Sequence, residues 1–154
     1  MSNPILKRRG ALLLAGRGGA VALAACLFPR AAWATPAEAK TLLGSLGTGT
    51  PHTGKVTIVA PEIAENGNTV PISIDVDSPM TDASYVKTIM MVADGNPLPG
   101  VARFDLTPAN GRAHVEFRIR LAQTQNITAV ALMNDGTMWT ATKNVKVTIG
   151  GCGG

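Results

Sequence analysis

The chain ends on the segment GGCGG, residues 150–154, and its cysteine is the side chain best suited to covalent chemistry in this sequence. A cysteine thiolate is a strong nucleophile, and flanking glycines leave the backbone thin and free to rotate. Cys152 follows Ile149, the last residue of a strand-like stretch, by three positions, so an extended tail carries the thiol about 10 Å beyond that strand. We predict a flexible arm that presents Cys152, its backbone supplied by Gly150, Gly151, Gly153 and Gly154.

The thiol has no activating group near it in sequence. The nearest cation is Lys146, six residues earlier, and the terminal carboxylate of Gly154 disfavours a thiolate. An ordinary cysteine has a pKa of about 8.5, and its reactivity depends on the fraction present as thiolate. We therefore expect a partner enzyme to activate Cys152, which favours a carrier of covalent cargo over a self-contained enzyme.

Two other kinds of chemistry are weaker hypotheses. His52 and His114 are distant from the tail in sequence, and a cysteine–histidine catalytic pair needs a thiol held rigidly beside its base, so we predict no catalytic residues. A copper carrier is the alternative function, because Cys152, the histidines and the methionines are soft ligands. Their spacing matches no known ligand pattern, and methionines at strand spacing are more often core residues, so we predict no metal site and no bound cofactor.

The first 34 residues predict export. Arg8 and Arg9 precede a mildly apolar, glycine-rich run that resembles a twin-arginine signal, and Ala32-Trp33-Ala34 has the form of a signal-peptidase site. Arg17 interrupts the run, so its apolar pieces are too short to span a membrane. We expect a periplasmic protein. An alternative cut before Cys26 would give a lipoprotein.

Cleavage after Ala34 changes both charge and cysteine content. The remaining 120 residues hold nine basic and ten acidic side chains, a net charge of −1, so the basic pI of the full chain indicates no nucleic-acid partner. Cys152 becomes the sole cysteine and has no internal disulfide partner. An unpaired cysteine in an exported protein indicates a reactive thiol or pairing with another chain.

The rest of the chain predicts an all-β, immunoglobulin-like antiparallel sandwich over residues 55–149. Thr35-Pro36-Ala37-Glu38 predicts a capped short helix, followed by a connector to residue 54. Period-two alternation, clearest over 113–121, predicts about seven strands with no helices between them. Asp135-Gly136 predicts the turn of the last hairpin, and 61–68 reads as a loop. The surplus apolar residues of KTIMMVA, 87–93, could be covered by a partner chain or belong to the core.

The sequence resembles the SoxY family of bacterial thiosulfate oxidation over essentially its whole length. The terminal GGCGG is the specific element of the resemblance. The stretches that carry it are PEIAENGNTVP (61–71), VDSPM (76–80), NPLP (96–99), ARFDLTP (102–108) and VTIGGCGG (147–154).

The resemblance implies a sulfur carrier that forms a heterodimer with a SoxZ-like subunit of similar fold. It implies that Cys152 receives thiosulfate oxidatively through SoxAX, a haem c enzyme. SoxB, a manganese-dependent hydrolase, would then release sulfate, and SoxCD, a molybdenum–haem enzyme, would oxidise the remaining sulfane sulfur in organisms that have it. The cargo would stay covalently attached to Cys152 throughout.

The sequence is compatible with two further roles for the C-terminal segment. Small β-grasp sulfur carriers end in Gly-Gly and are activated at the terminal carboxylate, which would make Gly154 the cargo site, although that activation consumes ATP in the cytoplasm. A purely structural thiol would link two chains by a disulfide.

Overall fold

The computed structural model describes residues 35–151, so the predicted signal peptide and the last three residues lie outside it. One α-helix, α1 (Pro36–Gly44), precedes nine strands. The strands are β1 (His52–Thr53), β2 (Val56–Val59), β3 (Ile63–Asn66), β4 (Val70–Val76), β5 (Val86–Ala93), β6 (Gly100–Asp105), β7 (His114–Ile119), β8 (Gln125–Met133) and β9 (Met138–Ile149). A 3₁₀ turn, Pro108–Asn110, links β6 to β7.

The strands form two sheets packed face to face, which confirms the predicted immunoglobulin-like sandwich. The larger sheet has the order β1-β9-β8-β5-β6, and the smaller has the order β2-β4-β7. The smaller sheet is antiparallel throughout, with Ile72 opposite Phe117 and Ile74 opposite both Ile58 and Val115. The hairpin of β8 and β9 turns at Asp135-Gly136, as predicted, with Gly136 at a φ of +85°.

The core lies between the sheets and is built from aliphatic side chains. Alternate residues of β4 are buried, and the opposite alternates are exposed or half-buried, as a strand with one wet face requires. Ile74, Ile89, Leu121 and Ile127 are fully buried. Phe104 and Phe117 pack together at 5.1 Å between ring centroids and border this core.

Strand β5 is apolar on both faces because both faces are covered within this chain. Its residues from Thr88 to Ala93 are all buried. The outer face meets α1, and the loop after α1 also contacts this sheet, with Gly47 against the sulfur of Met138. The Thr35–Glu38 capping box starts α1 as predicted. Of the two interpretations of this stretch, the structure shows burial within the chain for residues 88–93.

Two segments expected to be irregular contain strands. The predicted loop 61–68 includes β3, which pairs in parallel with β9, Ala64 opposite Val147 and Asn66 opposite Ile149. The predicted connector includes β1, which pairs with the opposite end of β9. Parallel pairing joins residues far apart in sequence, so neither strand has a local turn signal to reveal it.

Replacing Ile74 with Ala should destabilise the sandwich by about 2–5 kcal/mol, because the side chain is fully buried and leaves a cavity between the sheets. Ile63→Ala is the matched control, since Ile63 is 58% exposed and its loss should be close to neutral. Urea unfolding of both variants measures the two effects. Equal destabilisation by both would contradict the assignment of the core.

Candidate functional site

The C-terminal segment does not leave the sandwich at the end of β9. The Gly67 amide donates a hydrogen bond to the Ile149 carbonyl oxygen at 2.8 Å, continuing the β3–β9 pairing by one step. The Gly151 amide donates to the Leu121 carbonyl oxygen at 2.9 Å, and the Leu121 amide donates to the Gly67 carbonyl oxygen at 2.8 Å. Gly151 is buried in this contact.

At Gly150 and Gly151 a neighbouring backbone segment comes so close that only glycine fits. A side chain on Gly150 would clash with the carbonyl oxygen of Ala122. One on Gly151 would lie 2.9 Å from the carbonyl oxygen of Gly67, closer than real Cβ atoms come to another atom. The sequence predicts both glycines for flexibility, and the structure shows that both are also needed where three backbone segments meet.

Because the Gly151 amide is hydrogen-bonded, the free stretch of chain before the thiol is shorter than the sequence predicts. Counted from Ile149, an extended tail reaches about 10 Å. Counted from Gly151, whose amide is hydrogen-bonded, Cys152 is the next residue and its Cα is about 3.8 Å away. Cys152, Gly153 and Gly154 lie outside the described residues, so the flexible arm and the attachment of cargo to Cys152 stay predictions.

Neither histidine lies near Gly151, the last described residue. His52 pairs with Trp139 at the start of β9, and its ring centroid is 5.4 Å from the Trp139 ring. Ten residues separate Trp139 from Ile149, which is about 33 Å along an extended strand. His114 opens β7, at the opposite end from Leu121, and its Nδ1 is 3.0 Å from an Asp75 carboxylate oxygen. In the part of the chain that the structure describes, Gly151 therefore has no histidine neighbour with which a thiol pair could be formed.

The methionines are core residues. Met80, Met91, Met133 and Met138 are at most 5% exposed, and Met90 is 9% exposed. The sulfur of Met80 already accepts a hydrogen bond from the Val86 amide at 3.5 Å. Within residues 35–151 no three His, Cys, Asp or Glu side chains are placed to hold a metal ion. In the described part of the chain, these methionines therefore pack the core, as expected for methionines at strand spacing.

Two carboxyl groups have shifted pKa values, and both shifts disfavour a general acid at neutral pH. Hydrogen bonds from Arg103 and Thr88 lower the pKa of Asp105 below its usual value, and hydrogen bonds from Thr137 lower the pKa of Asp135. Both shifts favour the ionised carboxylate. Asp105 ends the edge strand β6, and Asp135 lies in the β8–β9 turn.

The fold also brings the backbone beside a basic residue, Arg120, to the Gly151 contact, although the two are distant in sequence. Lys146 precedes Cys152 by six residues, whereas Arg120 directly precedes Leu121, the hydrogen-bond partner of Gly151. The Arg120 side chain is exposed. Sequence separation between Arg120 and the tail hides this proximity, and only the pairing of 121 with 151 reveals it.

Comparison with known proteins identifies the family. The family model described as sulfur oxidation protein SoxY matches residues 40–152, which include Cys152. The sulfur carrier protein SoxY from Chlorobium limicola f thiosulfatophilum is 31% identical with a TM-score of 0.60, over 71% of this chain and 96% of that one. No curated protein sequence matches this chain significantly.

Superoxide reductases share the fold. The superoxide reductase (neelaredoxin) from Ignicoccus hospitalis is 21% identical with a TM-score of 0.55, over 74% of this chain and 94% of that one. A putative superoxide reductase from Thermotoga maritima is 21% identical with a TM-score of 0.52, over 64% and 87%. At these identities the likeness concerns the sandwich alone. The family match and the Chlorobium structure together show that this chain belongs to the SoxY family of sulfur oxidation proteins.

Proposed function

We propose that this protein is a periplasmic sulfur carrier that holds thiosulfate-derived intermediates covalently on Cys152 and presents them to separate enzymes. The observation that carries the proposal is the family match, which runs through Cys152. That residue is the sole cysteine left once the predicted signal peptide is removed. The Chlorobium relative is itself described as a sulfur carrier protein.

The chemistry needs a thiolate and an external oxidant. The Cys152 thiolate and thiosulfate join through a new sulfur–sulfur bond, and two electrons pass to a haem enzyme of the SoxAX type. The product is a cysteine S-thiosulfonate. Water then attacks the terminal sulfonate sulfur on a SoxB-type hydrolase, which releases sulfate and two protons and leaves a cysteine persulfide. A thiol one residue after the last anchored glycine suits successive visits to different active sites.

The remaining parts of the proposal concern location and partners. Export by the twin-arginine route, with cleavage after Ala34, would place the chain in the periplasm. A SoxZ-like subunit would form the heterodimer, and a SoxCD-type enzyme would act on the persulfide where it is present. Among residues 35–151 no helix is long and apolar enough to cross a membrane.

Reconstitution tests this function. Periplasmic extract from a strain lacking this chain should fail to reduce cytochrome c in response to thiosulfate. Adding the purified mature protein with its partner subunit should restore the activity. Restoration by Cys152→Ala, or none by the wild-type complex, would contradict the proposal. If copper retention that depends on Cys152 accompanied the failure, the metal-carrier alternative would replace it.

A further inference from the structure

Two sequence motifs that carry the family resemblance meet at the base of the C-terminal segment, although neither is near it in sequence. Gly67 belongs to PEIAENGNTVP, and Asn96 belongs to NPLP. We infer that Gly67 and Asn96 are positioning residues for Cys152. They form a socket that holds Gly150–Gly151, here called the arm root, and fix the point from which the thiol-bearing segment leaves the sandwich. The functional part of this inference rests on the proposed carrier role.

Gly67 forms the centre of the socket. Its amide binds Ile149 and its carbonyl oxygen binds the Leu121 amide, so this one residue joins β9 to the segment that follows β7. Leu121 completes the contact by accepting the Gly151 amide. A side chain on Gly67 would clash with the Leu121 carbonyl oxygen and lie 2.7 Å from the Gly151 nitrogen. Even a methyl group at this position therefore displaces the arm root.

The Asn96 side chain binds the backbone on both sides of Leu121. Its side-chain nitrogen donates to the Arg120 carbonyl oxygen at 2.8 Å, and its side-chain oxygen accepts from the Ala122 amide at 2.9 Å. These bonds bracket Leu121 on both sides. The Gln125 side chain donates to the same Asn96 oxygen at 2.9 Å, and both residues are only 4% exposed. Such a satisfied buried amide fixes the backbone it binds.

The socket matters to a carrier because it limits the thiol's freedom. With the arm root bound, the cysteine is the residue directly after the last hydrogen-bonded amide. With the root released, Gly150 and Gly151 become free as well, and the thiol spreads over a larger volume. Misplacing a reacting group by about 1 Å can cost about a hundredfold in rate. Release should therefore slow enzymatic loading while leaving the thiol chemically intact.

Amide hydrogen exchange on the mature protein tests the socket directly. The Gly151 amide should be protected in the wild type, and Gly67→Ala and Asn96→Ala should each speed its exchange by about tenfold or more. Core amides such as those of Ile74 and Ile127 should change far less. Gly150→Ala changes a residue of the arm root itself and none of the sandwich. It should give the same faster exchange at Gly151, even if the other two variants fold poorly.

Two controls match these variants. A side chain on Gly44 meets no neighbour within 4 Å, so Gly44→Ala controls for added bulk. Asn134 also bridges two backbone groups, Tyr85 and Ala83, but at the other end of β8, so Asn134→Ala controls for a lost amide. An unprotected Gly151 amide in the wild type would overturn the inference. Equal acceleration at Gly151 and at the core amides would also overturn it, because a general loss of stability produces that pattern.

Two rates separate positioning from reactivity. Labelling of Cys152 by a small methanethiosulfonate reagent should proceed at the wild-type rate or faster in Gly150→Ala, whereas thiosulfate loading by the partner enzymes should fall about tenfold. Unchanged loading would remove the positioning role. Hydrogen exchange gives its answer whether or not the wild type carries sulfur, so a failure of the socket and a failure of the carrier function remain distinguishable.

Discussion

Cys152→Ser is expected to abolish thiosulfate-dependent turnover and leave the fold unchanged. Serine is nearly isosteric but is not ionised at neutral pH, and it forms no stable bond to sulfane sulfur. Because Cys152 follows the last described contact, its exchange should shift the melting temperature by less than about 2 °C. Turnover with partner enzymes and calorimetry of the purified protein measure the two effects.

The other cysteine provides the matched control. Cys26→Ser alters a residue of the predicted signal peptide and should preserve both export and turnover. Loss of membrane-associated protein in Cys26→Ser would instead support the lipoprotein alternative. Residual turnover above background in Cys152→Ser would show that sulfur is carried elsewhere. A large drop in its melting temperature would contradict the prediction that the thiol lies beyond the packed sandwich.

Gly153→Val and Gly151→Val should both slow cargo processing, the second by more. Valine thickens and stiffens a segment that must enter a partner's active site, and misplacement of a reacting atom can cost about a hundredfold. Gly153→Val should leave stability unchanged. Gly151→Val places a side chain 2.9 Å from the Gly67 carbonyl oxygen, so it should also release the arm root. Single-turnover kinetics with each partner enzyme measure the slowing.

Gly44→Val tests whether bulk alone matters, since a side chain there meets no neighbour. It should process cargo at the wild-type rate. Unchanged turnover of Gly153→Val with every partner enzyme would remove the steric requirement on the arm. Equal slowing by Gly151→Val and Gly153→Val would show that the root contact adds nothing to positioning.

Most of the sandwich follows from local patterns in the sequence. Alternation along β4 and β7 reports one wet and one dry face, and Asp135-Gly136 is a local hairpin signal. Strand β3 escapes prediction because IAEN is short and lies beside turn-forming residues. Its parallel partner β9 is about eighty residues away, and no local pattern reports such pairing. The sequence leaves the cover over β5 undecided, because period-two alternation cannot show that α1 packs there.

The site follows from the sequence only in part. The GGCGG segment identifies the thiol, since Cys152 follows the last strand-like residue and has two glycines on each side. The sequence alone suggests only that these glycines make the backbone flexible. Glycine is favoured both in flexible segments and where two backbones approach closely, and the sequence does not distinguish the two cases. The two cases differ in what lies beside the residue. For Gly150 and Gly151 those neighbours are Ala122, Leu121 and Gly67, which the fold alone brings together.

The measurement that tests the carrier role most directly is mass spectrometry of the C-terminal peptide from exported protein, purified from cells supplied with thiosulfate, with and without reductant. We expect sulfane or thiosulfonate mass on the peptide that contains Cys152, removable by reductant, together with a mature chain that begins at Thr35. A bare Cys152 thiol under all conditions, with copper or zinc bound in the native spectrum, would contradict the carrier role.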